Sequence, residues 1–217
     1  MSLKALFVNC TLKYSPETSN THALIEKVAA LMNELGAQTE IVRANDYKIY
    51  FGITSERIKD DDQWPELYRK IKECNILVLG MPIWFGVRSS VAQLVIERLD
   101  GSYADGDKET GQFPLYNKVG GVIVTCNEDD AHDCASNTLF NLSHLGCTIP
   151  PNSDCYWVGD AGPGPSYIEA HGDKHLYTNK TARYMAHNLI YMADLLSRNP
   201  IPTNLNKLIE EAKGVSK

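Results

Sequence analysis

Between residues 10 and 28 the chain reads CTLKYSPETSNTHALIEKV, and Thr11, Ser15, Thr18, Ser19, Asn20 and Thr21 bring hydroxyls and an amide together just before a segment of helical spacing. The first backbone N–H groups of a helix have no partner inside it, and the helix dipole favours negative charge at that end. Side chains and helix start together describe a phosphate cradle built without glycine. Ser19 or Asn20 alone would suffice as a simple helix cap, but six such groups exceed what one cap needs. Neither GxGxxG nor GxxxxGKS/T occurs, which argues against a Rossmann dinucleotide loop and a P-loop. Asn9 and Cys10 stand where a phosphoacceptor domain carries carboxylates. Pro16 and Glu17 stand where a cysteine phosphatase needs its arginine, so Cys10 reads as a small residue packed at a strand end.

Two further stretches carry chemistry. In GMPIWFGVRSS, residues 80–90, Pro82, Ile83, Trp84, Phe85 and Gly86 form an apolar, aromatic turn suited to a flat ring system, although such a turn serves packing equally well. Arg88 follows it, placed to meet a nucleotide phosphate or simply to face solvent. In TCNEDDAHDC, residues 125–134, Asn127 can donate and accept, as the polar edge of a pyrimidine-like ring requires. Glu128, Asp129 and Asp130 suit the start of the next helix, and His132 reads as a helix-start residue. No ligands elsewhere match E-D-D-x-H at a metal-site spacing, so no metal is expected.

The elements that must position these stretches follow from hydrophobic period. Strands are predicted over residues 3–9, 38–43, 76–80, 118–125 and 147–158, several of them nearly continuous in apolar residues as buried parallel strands are. Helices are predicted from the hydroxyl-rich turn through Leu35 to a stop at Gly36, from Pro65 through Ile71, from Ser89–Ser90 through Leu99, from Ala131 to Leu145, and from Ala182 to Leu196. Five strand-then-helix units make an open, doubly wound parallel sheet, whose ligands bind where the strands end. Residues 100–116 and 159–180 have no period, the first reading as a flap or a contact to a partner subunit, and a tail begins at Asn199.

Composition bounds the rest. At 217 residues, 43% hydrophobic and 22% charged with a net charge of -6, the chain has one ordinary core and no basic face for nucleic acid. No apolar run approaches the ~20 residues that span a bilayer, and Met1-Ser2-Leu3-Lys4 leads straight into a strand without a signal region. Six cysteines without a CxxC pair read as free thiols in a reducing, cytoplasmic setting.

Three runs carry a resemblance. SNTHALIEKV after the first strand resembles the S-N-T-x-x-L helix start of the NAD(P)H-dependent FMN reductase family. ILVLGMPIWFGVRSSVAQLVIERLDG resembles that family's strand, P-I-Y-W-type flavin loop and following helix. VTCNEDDAHDCASNTLFNLSHLGCTIPPNSDCYWVGD is similar to a subgroup with V-T-G-N-E-D-G-A-H, then G-F-T-I-P, then Y-W-V-G. The resemblance implies a flavodoxin-like three-layer sandwich with a five-stranded parallel sheet in the order 2-1-3-4-5 and helices on both faces. It implies a single domain over residues 1–198 with a C-terminal tail over 199–217. It gives the FMN phosphate to Thr11, Ser19, Asn20 and Thr21, with Lys13 where many members have arginine. Pro82, Ile83, Trp84, Phe85 and Gly86 would hold the isoalloxazine, with Thr125, Cys126, Asn127 and Glu128 on its other side.

The implied chemistry is hydride transfer from NAD(P)H to flavin N5, then electron transfer to a quinone, flavin, azo or nitro compound in a ping-pong scheme, with no catalytic acid or base from the protein. Backbone N–H groups of residues 84–86, or the Asn127 amide, would stabilise charge near N1 and O2. Members are often dimers or tetramers, so a homodimer or homotetramer is implied, with a small-molecule acceptor and no membrane. The chain departs from the pattern in a longer first loop opening on Cys10, in Cys126 for a common glycine, where it would reshape or close the ring pocket, and in Glu97–Arg98 for Asp-Arg. These departures keep two alternatives open: a flavodoxin-like electron carrier serving a protein partner, and a flavin-free binding module.

Overall fold

The computed structural model describes residues 2–162 and 164–215. Strands β1 (Lys4–Asn9), β2 (Gln38–Arg43), β3 (Ile76–Trp84), β5 (Val119–Cys126) and β6 (Asp154–Val158) are parallel in the order β2-β1-β3-β5-β6. Counted along the parallel sheet alone, this is the expected 2-1-3-4-5 arrangement. The two-residue β4 (Val87–Arg88) is additional and turns back antiparallel on the end of β3. The helices are α1 (Asn20–Glu34), α2 (Trp64–Glu73), α3 (Ser90–Asp100), α4 (Ala131–His144), α5 (Leu176–Arg198) and α6 (Leu205–Val215).

Alternation within each strand sends its side chains into two cores. From β1, Leu6 and Val8 meet Leu77, Leu79, Val122 and Val124 beneath α2, α3 and α4. Ala5 and Phe7 meet Ile76, Val78, Val119 and Ile123 beneath α1 and α5. Because both faces are covered, β5 is buried along its whole length and its sequence shows no alternation. Leu24, Ile25, Val28 and Met32 form the buried stripe of α1, whose N-terminus Ser19 caps by accepting the His22 N–H at 3.1 Å. Gly80 lets this helix lie close to β3: a Cβ there would stand 2.5 Å from Ile25 Cδ1.

Three boundaries differ from the sequence expectation by more than two residues. β3 runs on to Trp84 because Met81 and Pro82 keep register with Val124 and Thr125, so most of the aromatic stretch is strand and the turn is Phe85–Gly86, at φ 51° and 75°. β6 starts at Asp154 rather than Cys147, since Pro150 and Pro151 cannot donate to a ladder and Thr148 makes only an isolated bridge to Val119. α5 begins at Leu176, capped by His175, rather than at Ala182. The tail contains α6 and is tied to the loop before β5. Gln112 Nε2 donates to the carbonyls of Ile201 and Thr203, and the Leu205 N–H donates to that of Thr110.

Arg98, fully buried, pairs with Asp62 at 2.8 Å and donates to the carbonyls of Tyr50, Thr54 and Glu56, fastening the segment after β2 onto α3. Among the described residues no helix is long and apolar enough to cross a membrane.

Candidate functional site

The sequence order of the strands reverses between β1 and β3, where a crevice opens beyond their carboxyl ends. A cavity of about 450 Å³ lies there. Twelve of the fourteen residues expected at the site line it: Thr11, Lys13, Ser19, Asn20, Thr21, Pro82, Ile83, Trp84, Thr125, Cys126, Asn127 and Glu128. Phe85 and Gly86 do not. The Phe85 side chain is 97% exposed, and Gly86 is engaged from across the crevice, its N–H donating to Glu128 Oε2 at 3.1 Å.

The loop after β1 forms the polar end. Ser19 Oγ accepts from His22 N–H and, at 3.5 Å, from Asn9 Nδ2, which leaves its own proton to donate. Asn20 Oδ1 accepts the Ile168 N–H, and Lys13 Nζ donates to the Thr18 carbonyl. Thr21 and Thr125 join their hydroxyls at 2.7 Å, locking the start of α1 to the end of β5.

Arg43, at the end of β2, is the residue the sequence reading missed here. Its Nη1 donates to the carbonyls of Tyr14 (2.5 Å), Glu17 (3.0 Å) and Lys13 (3.4 Å), while Asn45 Nδ2 holds that of Leu12. These bonds draw the carbonyls of the loop toward β2. Cys10 is fully buried beside this loop, and burial pushes its pKa up to about 12, which rules it out as a nucleophile at neutral pH.

The other end is apolar. Ile83 and Trp84 face a wall that includes Trp157 and Tyr167, whose rings meet edge to face at 5.6 Å. Among the described residues the buried Tyr167 hydroxyl has no hydrogen-bond partner. Trp157, Tyr167, Leu12, Gly162 and Ser166 complete the lining and were not singled out. Trp157 was findable, because it lies next to the end of β6, a strand of the sheet. The others sit on loops without period. Asn127 Nδ2 donates to the carbonyls of Gly164 and Pro165, so this amide clamps the neighbouring loop. The Asn127 amide and the Gly86 N–H, expected to face developing charge, are thus committed within the protein. Cys126 does not close the cavity: its thiol turns back onto the Glu128 carbonyl at 2.9 Å.

Arg88 and His132 are also placed. Arg88 is held by α4 rather than free in solvent, and His132 Nε2 shares a hydrogen bond with the Tyr156 hydroxyl at 2.7 Å. Among the described residues no group of three or more His, Cys, Asp or Glu side chains could hold a metal ion.

A cavity with hydroxyls and a helix start at one end and aromatic and aliphatic side chains at the other fits a flavin mononucleotide. Comparison with known proteins decides the family, since residues 3–160 match NADPH-dependent FMN reductase. The chain belongs to the NADPH-dependent FMN reductase family.

A relative from Streptomyces davaonensis, 8-demethyl-8-aminoriboflavin-5′-phosphate synthase, is 41% identical over 98% of this chain and 86% of its own. The crystal structure of RosB with the bound intermediate 8-demethyl-8-formylriboflavin-5′-phosphate aligns at a TM-score of 0.92 and 39% identity, covering 100% of this chain and 88% of that one. The divalent metal cation transporter MntH of Mycobacterium bovis is 44% identical over 94% of this chain, which spans only 31% of that protein. This FMN reductase family member has the flavodoxin-like fold and is a flavin-dependent oxidoreductase, with FMN as cofactor and NAD(P)H as reductant.

Proposed function

We propose that the protein passes a hydride from NAD(P)H to FMN held in the crevice, and from there electrons to a quinone, a free flavin or a similar small acceptor. The observation that carries this reading is the single cavity in which the loop after β1 meets the ends of β3 and β5. Bound FMN would supply the hydride chemistry itself, and the chain's own residues bind, orient and restrict access. Thr11, Ser19, Asn20 and Thr21, with the N–H groups of the first turn of α1, take the phosphate, and Lys13 adds positive charge. Pro82, Ile83 and Trp84 flank one side of the ring, with Phe85 and Gly86 forming the turn at its rim. Thr125, Cys126, Asn127 and Glu128 flank the other. No side chain is required as acid or base in the hydride step.

The test is an absorption spectrum before and after adding FMN, then anaerobic addition of NADPH. Flavin bands that bleach support the reductase. Bound flavin that stays oxidised favours an electron carrier with another reductant, and absence of flavin binding overturns both in favour of a flavin-free module.

A second reading comes from the relative whose bound intermediate is itself a modified flavin phosphate. In that reading the flavin is substrate, altered at its position 8. Mass spectrometry of flavin recovered after turnover separates the two, because a reductase returns it unchanged.

A small-molecule acceptor, a homodimer or homotetramer, and a cytoplasmic setting complete the proposal. Six free, buried thiols fit a reducing compartment. The exposed Tyr177, Tyr184 and Tyr191, seven residues apart along α5, offer a face for self-association.

A further inference from the structure

A second groove, of about 570 Å³, adjoins the flavin cavity, and Leu12 and Trp84 line both, so the two meet at the Trp84 indole. Among the described residues Arg88 is the one basic residue along the second groove. Its Nη1 donates to Asn141 Oδ1 at 2.6 Å and Thr138 Oγ1 at 3.3 Å, and its Nη2 donates to Asn137 Oδ1 at 2.6 Å.

All three partners are neutral, and among the described residues none of the ion pairs within 4.0 Å includes Arg88. Asp133 lines the groove too, beyond that distance, so an anion must settle on the Arg88 side. A guanidinium has five N–H donors, and the three contacts found among the described residues leave two without a partner there. Helix α4 thus immobilises this positive charge without a direct ion pair, Glu97 and Asp133 acting on it only from beyond 4.0 Å, which favours a pre-organised anion contact.

We propose that this groove binds the phosphate-bearing part of the nicotinamide nucleotide, with Arg88 on a phosphate while the nicotinamide passes Trp84 to reach the flavin. The proposal rests on the assignment of the first cavity to FMN. The chain has only one nucleotide-type loop, so the dinucleotide needs a contact of another kind. Of the reactants in the scheme, NAD(P)H is the one that always carries phosphate, whereas a quinone carries no charge for Arg88 to hold.

FMN-loaded wild-type, Arg88→Gln and Arg88→Lys enzymes would be reduced anaerobically in a stopped-flow spectrometer over a range of NADPH concentrations. Loss of a charge-assisted contact predicts an apparent Kd for NADPH raised about ten- to a hundredfold in Arg88→Gln, with the limiting rate changed less than about twofold. Arg88→Lys should recover part of the loss. The fragment 2′,5′-ADP should compete with NADPH in the wild type and far less in Arg88→Gln.

Reduction by 1-benzyl-1,4-dihydronicotinamide, which has no phosphate, provides the control. If Arg88→Gln slows that reaction as much as the NADPH reaction, Arg88 is structural and the proposal falls. An unchanged NADPH dependence in Arg88→Gln also overturns it while leaving the flavin assignment intact. A wild type that binds FMN but ignores NADPH removes the reductase reading and this site with it.

Discussion

Arg43 shows how a residue without ligand chemistry of its own can shape the loop proposed to hold the FMN phosphate. It holds three carbonyls of the loop after β1, and its side chain is buried against that loop. In Arg43→Gln those carbonyls lose a charged donor and the loop relaxes around the phosphate position. FMN should bind about tenfold or more weakly, in line with the ~1.5–3 kcal/mol of a charge-assisted hydrogen bond, while riboflavin, which lacks the phosphate, binds as before. Equal weakening of both by fluorescence titration would mean that Arg43 supports the whole site rather than its phosphate end. The hydroxyl-rich turn was legible as a helix start, because Ser19 is among the few residue types that cap helices. Arg43 was not, because its contacts are to backbone carbonyls some 30 residues away, which no local pattern records.

At the level of elements, strands were legible where burial on both faces makes them apolar throughout, as in β3 and β5, and boundaries were lost where register decides them. Nothing local marks Trp84 as strand, since its place follows from β3 running alongside β5 and turning back into β4. Close packing of elements gives a first prediction. Gly80→Ala sets a methyl 2.5 Å from Ile25 Cδ1 and 3.3 Å from Thr21 Cγ2, within a fully buried contact. Overpacking of this kind costs about 1–3 kcal/mol and should displace the first turn of α1. Urea unfolding checks the cost, and weaker FMN binding in the same variant checks the displacement.

The Asp62–Arg98 pair gives a second. Burial pushes the Asp62 pKa up, but the Ile58 N–H, Arg98 and the Trp64 N–H outweigh it and hold the carboxyl below its ordinary range. Its contribution is therefore present above the unfolded value of about 3.9 and lost as pH falls through the lower folded value. Asp62→Asn strands a buried guanidinium and should destabilise by about 3–5 kcal/mol at pH 7. The gap to wild type should narrow in strong acid, and a constant gap down to pH 2 by urea titration would contradict the assignment.

For the whole molecule, the layered α/β architecture was readable because five strand-then-helix units leave few topologies open. The attachment of the tail was not, since Gln112 reaches Ile201 and Thr203 across nearly ninety residues. Association tests the surface: Tyr184→Glu, at the middle of the exposed tyrosine row on α5, should shift the sedimentation coefficient toward that of a monomer. An unchanged coefficient would move the interface elsewhere. The buried sulfur atoms have a different use. All six cysteines are reduced and buried, and burial pushes the thiols of Cys10, Cys147 and Cys155 up to about 12, with those of Cys74 and Cys134 at about 11. The thiols of Cys10, Cys74, Cys147 and Cys155, which line neither the crevice nor the groove beside it, should react with Ellman's reagent only as the fold opens. The chain therefore carries four intrinsic clocks for its own breathing, while Cys126, on the wall of the crevice, should react more slowly when FMN is added and covers it.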